Sequence, residues 1–133
     1  MTTVRTPLEM ELAALPKAVP EVRRAVRAHL GVPCPDVQLC VSELLANVIR
    51  HVGEGTPVSV RVDGTGDDRV RVAVSDREPD SRLAARRADA EEESGRGLLL
   101  IGSVALRWGV TRDARGKTVW CEVPLTGPRP AVE

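Results

Sequence analysis

Two runs of strict alternation, "PVSVRVDG" and "RVRVAVSD", flank the turn-forming stretch "GTGDD". Alternation sends every second side chain to one face, and two such runs around a Gly/Asp turn predict a β-hairpin. One face of this hairpin is valine throughout; the other is charged or small. The sheet it starts must therefore be covered on one side and wet on the other.

The rest of the chain offers the cover. Leu8, Met10 and Leu12 alternate with Glu9 and Glu11, which predicts a half-buried first strand. "PKAVPEVRRAVRAHLGV" then reads as a helix. Pro20 suits its first turn, Val19, Val22, Val26 and Leu30 line one side, and Gly31 ends it. Arg23, Arg24 and Arg27 lie off that stripe, as on a solvated face. A second helix follows "PCPD", with Asp36 expected at its N-cap. Val37, Cys40, Val41, Leu44, Leu45 and Val48 form its apolar stripe, and Gly53 and Gly55 stop it.

Beyond the hairpin, "REPDSRLAARRADAEEES" breaks all periodicity and is expected to be a long mobile loop. "GRGLLLIGSVALRWGV" predicts a helix opened by glycines, "RDARGK" a turn, and "KTVWCEVPL" the last strand. The tail at 126–133 is expected to fray. Strand, helix, helix, hairpin, loop, helix and strand make one domain over 1–133, an α/β two-layer sandwich.

Several functions drop out early. Nineteen basic and nineteen acidic residues cancel, so no general field draws the chain to nucleic acid or acidic membranes. The start, "MTTVRTPLEMEL", has no signal-peptide core, and "GLLLIGSVAL" is too short to span a bilayer. A cytoplasmic protein is expected. Cys34, Cys40 and Cys121 have no paired spacing and are expected as reduced core residues. His29 and His51 lack ligand-spaced companions, which argues against zinc. No GxxxxGK[ST] motif occurs, nor any protein-kinase signature.

Three polar islands remain. Glu43, Asn47 and His51 recur every four residues beside the apolar stripe of the second helix, along about 12 Å of helix axis. Asn47 is the odd member, because an asparagine amide competes with the helix backbone for hydrogen bonds. Asp76 closes the second hairpin strand. Gly95 and Gly97 flank Arg96 before the third helix, and bare N–H groups at a helix start suit phosphate. Each island alone has an ordinary reading: a wet helix edge, a turn residue, a flexible joint.

Their order is more specific. Helical E-x3-N-x3-H, a strand Asp, a charged loop, G-x-G before a helix and "GKTVW" together resemble the GHKL ATPase superfamily over nearly the whole chain. Within it, "VPEVRRAV", "VSELLANVIRH", "GRGLLLI" and "GKTVWCEVPL" resemble the small anti-sigma-factor serine/threonine kinases and their actinobacterial relatives. That resemblance implies a Bergerat-type fold, a mixed sheet with helices on one face. It implies ATP and Mg²⁺ as ligands, with Asn47 holding the metal and Glu43 as general base. His51 would sit nearby in support. Asp76 would accept from the adenine amino group with Thr118 beside it, and Gly95, Arg96 and Gly97 would meet the phosphates. Residues 77–94 would form the mobile lid over ATP.

The implied function is to phosphorylate a Ser or Thr of an anti-sigma antagonist protein and to sequester a sigma factor, with no direct nucleic-acid or membrane partner. Relatives of this kind often work as dimers. One departure stands out: where the family carries Asp-x-Gly-x-Gly, this chain has Asp76-Arg77-Glu78-Pro79-Asp80. That leaves a rival, a nucleotide-dependent protein-binding switch without catalysis. A third option, the ATPase domain of a histidine kinase, is disfavoured because no phospho-acceptor helix precedes the first strand.

Overall fold

A computed structural model describes residues 6–66, 68–76, 104–114 and 116–125. Its elements are β1 (Leu8–Ala13), α1 (Ala18–Leu30), α2 (Pro35–His51), β2 (Pro57–Gly64), β3 (Arg69–Asp76), β4 (Arg107–Asp113) and β5 (Gly116–Pro124). The strands form one sheet in the order β1-β2-β3-β5-β4. The two layers are as expected, but the sheet is not mixed: all four pairings are antiparallel.

The hairpin is the centre of the fold. Val58, Val60, Val62, Val70, Val72 and Val74 are all buried, and the alternation that marked them in sequence turns them toward the helices. Onto them α2 lays Val37, Cys40, Val41, Leu44, Leu45 and Val48, every one buried. This is the predicted stripe in full. It lies over β3 and β5, while α1 lies over β1. Burying each of these side chains contributes about 1.5–3 kcal/mol, so the stripe dominates local stability.

Local signals explain the helix ends. Gly31 closes α1 in the left-handed region at φ 75°, and its N–H donates to Arg27 O at 2.9 Å. The start of α2 differs from expectation by two residues. Cys34 holds the N-cap position without a side-chain cap, Pro35 takes the first helical position and Asp36 falls in the first turn. Proline needs no N–H partner there, and a carboxylate in the first turn complements the helix dipole.

One element departs from the sequence reading. Arg107–Asp113 is strand β4, although 107–110 was expected to continue the third helix. Trp108 and Val110 are cross-strand partners of Cys121 and Val119, so a period of two governs this stretch. The expected helix at 95–103, the loop at 77–94 and the tail at 126–133 lie outside the described residues.

The far side of the sheet carries its own cover at β5. Arg71 lies 4.1 Å over the Trp120 ring centroid and Arg107 lies 5.5 Å from it. Both guanidinium groups also reach Glu122, at 3.7 and 3.2 Å. That screening leaves Glu122 only 7% exposed. On the β1 side, Arg61 pairs with Glu9 across the strands.

Candidate functional site

The topology collects one end of every strand. β2 begins at Pro57, six residues after α2 ends at His51, and Val58 is the partner of Asp76 at the end of β3. Asp76 is in turn the partner of Lys117 at the start of β5, and Asp113 closes β4 against Gly116. The last turns of α2 therefore approach the sheet where Asp76 and Lys117 stand.

At that end Asp76 shares the helix-facing phase of Val72 and Val74 and is 2% exposed. Its Oδ2 atom is enclosed, with no hydrogen bond from the described residues. Gly116 makes this packing possible. It sits at φ 146°, and a Cβ there would come within 2.0 Å of Asp76 O. Only glycine fits so close a backbone approach.

Lys117 is buried directly opposite Asp76, on the same face as Val119 and Cys121. Sequence reasoning had not singled it out. Thr118, which had been, lies one residue out of phase. Its hydroxyl is 2.7 Å from that of Ser75, on the face turned away from the helices. The signal was the alternation of β5 itself, which becomes decisive only once its register with β3 is known.

On α2, Glu43 and His51 are half-buried while Asn47 is buried. A buried amide needs partners. Asn47 Oδ1 accepts a hydrogen bond from the Arg50 guanidinium at 2.7 Å, one turn on. Glu43 lies about 6 Å along the axis from Asn47, on the same face. By helix phase the row sets a carboxylate, an amide and an imidazole along one side of α2.

No group of three or more His, Cys, Asp or Glu side chains gathers around a metal position among the described residues. The donor set nevertheless fits Mg²⁺, which keeps several waters and takes few protein oxygens when phosphates complete its shell. Gly95, Arg96 and Gly97 lie outside the described residues.

The three cysteines are free and buried. A hydrogen bond with Cys40 and then burial push the Cys121 thiol well above its ordinary range, tying α2 to β5. Burial also raises Cys34, with Arg27 opposing. No helix among the described residues is long and apolar enough to cross a membrane.

Comparison with known proteins agrees with this fold. A family model described as histidine kinase-like ATPase domain matches residues 12–122, from β1 to β5. An uncharacterized protein of Streptomyces coelicolor is 41% identical over 85 residues, which is 62% of this chain and 79% of that relative.

Proposed function

The chain belongs to the histidine kinase-like ATPase domain family, and from that membership we propose that it is an ATP- and Mg²⁺-binding serine/threonine kinase of the anti-sigma-factor type. The observation that carries the reading is Asn47, an amide buried in α2 one turn from Glu43. Burying an amide in a helix face costs stability unless it is hydrogen-bonded, which favours a functional reason for keeping one there.

In this reading Asp76 accepts a hydrogen bond from the adenine amino group, and Asn47 Oδ1 is the protein ligand of the metal. Mg²⁺, when bound, supplies charge neutralisation across the phosphates. Glu43 takes the proton of a Ser or Thr hydroxyl on the antagonist protein. The freed oxygen forms a bond to the γ-phosphorus as the bond to the leaving ADP oxygen breaks. Residues 77–94 close over the nucleotide, and a sigma factor is the second partner. Transfer of labelled γ-phosphate to the antagonist, beside calorimetry of ATP with and without Mg²⁺, tests the reading. Failure to bind ATP overturns it.

The Asp76-Arg77-Glu78-Pro79-Asp80 segment, without the two glycines, favours a second reading. In it the protein binds nucleotide and docks a sigma factor without transferring phosphate. Nucleotide-dependent capture of a sigma factor with no labelled product selects it.

A further inference from the structure

We infer that Arg50 is an internal cation that holds the Asn47 amide oxygen when no metal does, and that Arg50 and Mg²⁺ exclude one another there. The inference rests on the reading of Asn47 as the metal ligand. The guanidinium lies 2.7 Å from Oδ1, on an amide 7% exposed. A magnesium ion binds an oxygen at 2.0–2.1 Å, so with both on Oδ1 the two positive centres would stand roughly 4 Å apart. Both draw on the same small pool of electron density, and little solvent reaches it to screen them.

The two partners differ in freedom. Asn47 is fixed by its burial, whereas Arg50 is exposed on the last turn of α2 and can swing out. The contact satisfies the buried amide in the resting protein and holds its oxygen in place. It also sets a threshold, because metal must displace a charge-assisted hydrogen bond before it binds. Arg50 is thus a positioning residue that makes the metal's contribution to nucleotide affinity smaller than Asn47 alone would give.

Calorimetry of ADP on the full chain, with Mg²⁺ and with a chelator instead, yields the ratio of the two affinities for each variant. Arg50→Gln is expected to raise that ratio about three- to tenfold over wild type. Arg50→Lys, which keeps charge but not the planar fork, falls between. Arg24→Gln makes the same charge change on an exposed part of α1 and leaves the ratio unchanged. Asn47→Ala brings it to one. A ratio in Arg50→Gln equal to or below that of wild type, with Asn47→Ala still at one, overturns the role of Arg50 alone. A ratio unaffected by Asn47→Ala overturns the metal reading beneath it. A parallel measure is free of nucleotide: the side-chain NH₂ resonances of Asn47 should shift in Arg50→Gln. If they do not move, the resting contact is refuted.

Discussion

The two halves of the candidate site are held in different ways. Asp76 and Lys117 are placed by strand register, each locked between hydrogen-bonded neighbours, with the Gly116 backbone packed against Asp76. Glu43, Asn47 and His51 are placed by helix phase alone, and Asn47 shares its oxygen with an exposed arginine. The sheet half can be altered only by disturbing backbone; the helix half can change partners by rotating side chains. Recognition of a rigid base suits the first, and management of phosphate, metal and proton suits the second.

The sharpest test of that division is Glu43→Ala. If the helix half handles chemistry and not binding, phosphoryl transfer falls about 10²- to 10⁴-fold while ATP affinity stays within about twofold. Equal loss of both in labelled-transfer and calorimetric assays breaks the division.

Gly116→Ala probes the sheet half. An added Cβ meets Asp76 O at 2.0 Å in a conformation that alanine adopts poorly. Backbone strain and overpacking together predict about 2–4 kcal/mol of lost stability, read from the urea midpoint. A midpoint within error of wild type would show that the Asp76 end is softer than its register implies.

Lys117→Met and Thr118→Val sharpen the comparison within one strand. Lys117 faces Asp76 and Thr118 faces away, so ADP affinity should change about fivefold or more in the first and less than twofold in the second. The reverse order would place the base on the other face of the sheet.

The smallest effect is electrostatic. With its folded pKa raised, Cys121 keeps its proton where the unfolded chain, titrating near 9.0, releases it. Its contribution is therefore complete below about pH 9 and declines as pH rises further. The partner thiol of Cys40 is shifted the opposite way by the same hydrogen bond, and if the Cys121 shift dominates, stability above pH 9 should fall more steeply in wild type than in Cys121→Val, measured by urea titration. Parallel curves for the two proteins would contradict a protonated thiol in the fold.

Much of this was legible in the residues, for reasons that also explain the gaps. Long periodic stretches announce themselves: the valines of the hairpin and the stripe of α2 each repeat over several turns or pairs. Seven residues of β4 follow directly on the apolar segment that was read as a helix, and their alternation is too brief to override it. The choice between Lys117 and Thr118 needs the β3–β5 register, a long-range fact that no local pattern carries. Arg50 is three residues from Asn47 and so within reach by helix geometry, but its occupation of Oδ1 is a matter of rotamer.

One consequence is optical. Trp108 and Trp120 are the only aromatic side chains in the chain, and they stand on the two paired strands β4 and β5. Ultraviolet emission from this protein thus comes from a single hairpin. Trp120 lies under the Arg71 guanidinium while Trp108 is 43% exposed, so the two indoles should emit at different wavelengths. The strand that carries Lys117 also carries Trp120, three residues on. Trp120 stands on the opposite face of the sheet from Lys117, so its emission reports on the far side of that strand, and the helices, which carry no indole or phenol, contribute no background.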